Sequence, residues 1–98
     1  ISEYEKLIDK DPNNPALHFS IGVIYMKKCL YNMAVNEYRI ALRIQPDYLF
    51  AIENLALIYP KGGLTTVETI NLWEKALTLE KRPEWRVIIT KHLKKLKY

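Results

Sequence analysis

The strongest constraint on this chain is a recurrence at an interval of 34 residues. Tyr4, Leu7 and Pro12 return as Tyr38, Ala41 and Pro46, and His18, Ile21, Gly22 and Tyr25 return as Ile52, Leu55, Ala56 and Tyr59. The later half returns again as Trp73, Ala76 and Lys81, now 35 residues on. The extra residue falls in the stretch that contains Pro60-Lys61-Gly62-Gly63. Between these landmarks apolar residues recur at three and four, the helical period, and no run alternates for long enough to read as a strand. A single unit of this size cannot bury its own apolar face, so successive units must stack.

Punctuation divides the chain into about six helices. Apart from Gly22, proline and glycine stand only at breaks: Pro12, Pro15, Pro46, Pro60, Gly62-Gly63 and Pro83. A first helix is expected over about 2–10, with Tyr4, Leu7 and Ile8 on one face. Asn14-Pro15 reads as an N-cap followed by proline at the first helical position, where the missing N–H is harmless. It opens a helix to about residue 28. A third runs over about 31–44, with Ala34, Tyr38, Ala41 and Leu42 as its stripe. Asp47 is expected to cap a fourth over about 48–59. Thr65-x-x-Glu68 is a capping box that starts a fifth, ending near Glu80. Arg82-Pro83 opens the sixth, with Trp85, Ile88, Ile89, Leu93 and Leu96 as its apolar face. Connections this short make successive helices antiparallel neighbours.

The pattern His18-x2-Ile21-Gly22-x2-Tyr25, then Ala34-x3-Tyr38, then Pro46 resembles the tetratricopeptide repeat. A second copy reads Ile52-x2-Leu55-Ala56-x2-Tyr59, then Thr69-x3-Trp73-x2-Ala76, and Trp85-x2-Ile88-Ile89-x2-His92 loosely restarts it. The departures are His18 at the usual aromatic start, Thr69 for the small residue and Lys81 for the proline. The resemblance implies an all-α, right-handed solenoid of antiparallel helix pairs forming one domain over 1–98. Residues 1–14 would be the second helix of a truncated repeat, 15–48 one repeat, 49–82 a repeat with a one-residue insertion, and 83–98 a closing helix. The missing initiator Met and the opening inside an amphipathic pattern suggest a piece of a longer chain. The spacing sets Gly22 and Ala56 against Ala34, Ala41 and Ala76 for close helix approach. Tyr25, Tyr38, Tyr59 and Trp73 would fill the space between pairs.

No constellation suited to catalysis stands out. The two histidines, His18 and His92, are far apart, and His18 occupies a packing position. Gly62-Gly63 lacks the Lys-Ser/Thr of a phosphate-cradling loop. One cysteine excludes an internal disulfide and a cysteine-built zinc site, and weakly favours a cytoplasmic setting. Cys29 stands where the family usually has glycine, at the turn between paired helices. Neither cofactor nor metal is expected, and no run approaches a membrane span. The net charge of +4 lies wholly at the end of the chain. Residues 1–90 hold eleven basic and eleven acidic side chains, and Lys91, Lys94, Lys95 and Lys97 supply the excess.

In the family, the first helix of each pair lines a concave surface that holds peptides. Carried onto this chain, those positions include Phe19, Val23, Met26, Phe50, Glu53, Asn54 and Leu57, with Ala16 and Lys27 beside them. Phe19 and Val23 cannot donate hydrogen bonds from their side chains, and Glu53 would repel a carboxylate. The resemblance therefore implies a scaffold module with an apolar groove for an amphipathic or extended hydrophobic segment, not a clamp for a peptide carboxylate. The lysines of the last helix give a closing cap its polar face, or an electrostatic contact with an acidic partner, nucleic acid or anionic membrane. Two further readings stay open. One is an RNA-processing type of helical repeat, similar in style to "NLWEKALTLEKRPEW", although no Arg–aromatic interleaving is seen. The other is self-association through the face of Tyr4 and Leu7. The turn over 59–65 is expected to be the loosest joint, and its insertion a candidate contact.

Overall fold

The computed structural model describes residues 2–97, with side-chain surroundings for all of these except Ser2 and Tyr4. Six helices follow one another: α1 (Ser2–Lys10), α2 (Pro15–Lys27), α3 (Tyr31–Ile44), α4 (Leu49–Leu57), α5 (Thr66–Leu79) and α6 (Pro83–Lys97). No strand occurs among the described residues. Each helix packs on the next in sequence, and the whole measures 43 × 26 × 20 Å.

The helix starts follow local chemistry. Asn14 Oδ1 accepts the Ala16 N–H at 3.0 Å, ahead of Pro15 at the first helical position. Thr65 Oγ1 accepts from the Glu68 N–H at 3.1 Å and Glu68 Oε1 accepts from the Thr65 N–H, closing the expected capping box. The cap of α4 differs from expectation. The N-cap is Tyr48, with no side-chain hydrogen bond, and Asp47 lies exposed one residue before it. The helix also stops at Leu57, because Pro60 cannot supply the next backbone donor.

Helix α2 ends in a Schellman turn. The Leu30 N–H donates to Tyr25 O at 2.9 Å and the Cys29 N–H to Met26 O at 3.0 Å. That geometry puts Cys29 at φ +61°, in the left-handed region that glycine adopts most readily. Its side chain is exposed.

Two apolar clusters lie in series. Ala34, Val35, Tyr38, Ala41, Ala51, Leu55, Ile58 and Leu64 form the first, and Ile52, Ala56, Trp73, Ala76, Ile89 and Leu93 the second. Helix α4 belongs to both, which explains its apolar residues on all sides. Gly22 makes its close approach to an aromatic ring and not to the small residues. A Cβ there would lie 2.6 Å from Tyr38 Cε1.

Two packing expectations are corrected. Ile88 of α6 is exposed, unlike Ile89 and Leu93 of the same expected apolar face, whereas the exposure of Leu7 on α1 agrees with the open face named in the self-association reading. The α4–α5 turn is anchored. Leu64 joins the first cluster, and buried Gly62 lies against Ile58 and within 2.7 Å, at its Cβ position, of Val35 Cγ2. Gly63 takes φ +77° to let the chain reverse. Tyr4, expected beside Leu7, lies outside the described side chains.

Candidate partner-binding face

The starts of α2, α4 and α6 bring four aromatic rings and one arginine into a row. Phe19 stacks on Tyr48 at 5.4 Å between centroids and meets Phe50 at 6.4 Å and Tyr38 at 5.8 Å. The Arg82 guanidinium carbon lies 5.5 Å from the Phe50 centroid and 5.2 Å from that of Trp85. It therefore sits between two ring faces, an arrangement favoured by the ring quadrupole. Phe50 is 52% exposed, Phe19 and Trp85 are half-buried, and Tyr38 is wholly enclosed beneath. Arg–aromatic interleaving, not evident in the sequence, is thus produced by the fold.

Arg82 is held by two carboxylates below the row. Its Nε and Nη2 donate to Glu80 Oε1 and Oε2 at 2.9 and 2.7 Å, a two-point grip. The same Nη2 donates to Glu53 Oε1 at 3.3 Å. Glu80 Oε1 also accepts from the backbone N–H groups of Lys81 and Arg82, at 3.1 and 3.0 Å. With Arg82 so close, Glu80 stays ionised well below the usual carboxylate range. Glu53 goes the other way. Burial, then the neighbouring Glu80, pushes its carboxyl from 4.5 up to about 7 against the pull of Arg82. Its Oε2 is buried and has no partner among the described atoms, which suits a carboxyl that keeps its proton.

Glu53 is the main correction to the expected groove. At 2% exposure it is not a surface residue, and its charge is not offered to a partner. Phe19 and Phe50 do come together. Val23 and Met26 are half-buried against the first apolar cluster, and Asn54 is engaged, its Nδ2 donating to Tyr38 Oη at 3.4 Å. Leu57 is exposed and shares a hollow of about 340 Å³ with Met26, Tyr31, Ile58, Tyr59 and Lys61. The face thus has an aromatic end and an aliphatic end.

The sequence reading missed Tyr48, Glu80, Arg82 and Trp85 as part of this face. One signal was available: Glu53 stands 34 residues after Phe19, an acid at an otherwise apolar repeat position. His18 is a packing residue, as expected. Its two ring nitrogens lie 2.9 Å from Glu37 Oε1 and 3.0 Å from the Pro12 carbonyl oxygen. His92 stacks on Trp73 at 4.7 Å, and burial, then Lys95, lowers its pKa. Of the four terminal lysines, Lys97 donates to Glu74 at 3.0 Å, while Lys91, Lys94 and Lys95 are exposed on α6. Among the described residues no group of three or more His, Cys, Asp and Glu is placed to hold a metal ion, and no helix is long and apolar enough to cross a membrane.

No protein-family model matches the chain, and a search of the curated proteins gives no match.

Proposed function

We propose that the chain is a tetratricopeptide-like protein-interaction module: a right-handed solenoid of antiparallel helix pairs whose concave groove receives an apolar or amphipathic partner segment. The sequential packing and the 34-residue recurrence support the architecture. The observation that carries the binding role is Phe50. A large ring 52% exposed, held between Phe19 on one side and Arg82 on the other, is a rigid anchor that loses little entropy on binding. Phe19, Val23, Met26 and Leu57 extend the apolar strip, and Asn54 lies beside it.

The test is fluorescence anisotropy with a panel of amphipathic helical peptides. Phe50→Glu removes the exposed ring and puts a charge in the apolar contact, which abolishes binding, while the circular-dichroism melt stays close to that of the parent chain. Phe50→Glu binding as well as the parent, or no panel peptide binding the parent, refutes the groove assignment.

The RNA reading gains one observation, Arg82 between two rings, because arginine and aromatic planes also stack on bases. It is the weaker reading because the Glu80 carboxylate already neutralises that arginine. Binding to mixed-sequence RNA that falls steeply with salt would favour it.

A further inference from the structure

Helix α6 carries a second surface. Ile89 and Leu93 turn into the second apolar cluster, which fixes the helix on α5. Ile88, next to them, is 39% exposed. Its counterparts in the repeat are Ile21 on α2 and Leu55 on α4, helices that each pack on the one that follows, and both are 3% exposed. The position that is buried twice elsewhere is therefore open on α6. Val87 beside it is also exposed. With Leu77, Arg86, Thr90, Lys91 and Lys94 it lines a hollow of about 360 Å³ between α5 and α6.

The charges that follow this apolar strip toward the end of α6 have one sign. Lys91, Lys94 and Lys95 are exposed and pair with no acid among the described residues, and Glu84 is the only acid on the helix. We propose that this face of α6 docks an acidic amphipathic helix of a partner protein, laid along α6 as α3 lies along α2. Apolar side chains of the partner cover Ile88 and Val87, and its flanking glutamates or aspartates meet Lys91, Lys94 and Lys95. Charge complementarity selects the sign of the partner. The apolar strip selects a protein helix over a phosphate backbone, which has no use for Ile88. The two exposed aliphatic residues are too few for insertion into a bilayer, which needs a broad apolar face. This surface is separate from the groove and does not depend on the groove's occupant.

The experiment uses the full chain and two synthetic helical peptides with the same leucine stripe, one with glutamate and one with lysine on the flanks. The glutamate peptide binds, its affinity falls with salt, and the lysine peptide does not bind. The triple variant K91E/K94E/K95E weakens the glutamate peptide by about tenfold or more and gains affinity for the lysine peptide. Ile88→Ser weakens the glutamate peptide without altering the helical melt. No binding of the glutamate peptide overturns the proposal, as does binding indifferent to Ile88→Ser or to the charge reversal. It is also overturned if mixed-sequence RNA, or vesicles containing phosphatidylserine, compete the peptide away at equal charge concentration. Because Phe19 and Phe50 are not involved, the groove assignment stands or falls separately on Phe50→Glu.

Discussion

Replacing Glu53 with glutamine changes how stability depends on pH. In the folded chain Glu53 keeps its proton up to about pH 7, whereas in the unfolded chain it loses it near 4.5. Between those values the native state binds more protons than the unfolded state, so stability falls as pH rises through that window. At about 1.4 kcal/mol per pH decade, the interval from 4.5 to about 7 amounts to roughly 3 kcal/mol. Glu80 has the opposite sign. Its folded carboxylate stays ionised below its usual range, so its contribution is present above about pH 4.5 and lost on further acidification. His92, lowered from 6.5, favours folding more as pH rises through its window, and it contributes equally to parent and variant. The difference between the two proteins therefore isolates Glu53. The glutamine amide keeps an acceptor for Arg82 without a charge to bury. E53Q is expected to match the parent near pH 4.5 and to exceed it at pH 8 by up to about 3 kcal/mol, with each kcal/mol worth about 4–8 °C in Tm. Thermal and urea melts followed by circular dichroism from pH 4 to 8.5 measure it. Parallel pH–stability curves, or a variant less stable than the parent at pH 8, would refute the argument that Glu53 is buried as a neutral acid.

Two other substitutions test local geometry. Cys29→Gly relieves a left-handed backbone at an exposed turn and is expected to raise stability by about 1 kcal/mol, seen as a higher urea midpoint with an unchanged slope. Gly22→Ala gains about 1 kcal/mol of helix propensity but drives a methyl to within 2.6 Å of the enclosed Tyr38 ring. Overpacking of about 1–3 kcal/mol makes the net change destabilising, and a variant more stable than the parent would show that the ring shifts freely.

Much of the fold was legible because its signals are local. Asn14-Pro15 and Thr65-x-x-Glu68 mark helix starts through bonds spanning a few residues, and both are realised. Asp47 was misread because a capping side chain must also aim at the first turn, and the chain enters α4 through Tyr48 instead. The aromatic half of the face could be anticipated in part. Phe19 and Phe50 stand at repeat positions that the fold brings within 6.4 Å. Glu53 could not be read correctly, because its fate rests on Glu80 and Arg82, the latter 29 residues further on.

The sequence by itself determined the helical period, the places where it breaks and the 34-residue recurrence, since these follow from backbone geometry and side-chain spacing. The tertiary structure alone decided which carboxyl is buried, which arginine lies between two rings, that the Gly62–Leu64 turn is packed, and that Ile88 is open while Ile21 and Leu55 are closed. The reason is physical. Periodicity says which side of a helix is apolar, but dielectric environment and exposure depend on what other segments place beside it. Here the helices packed around α4 turn an ordinary glutamate into a buried acid whose carboxyl is pushed up to about 7, beneath an aromatic row.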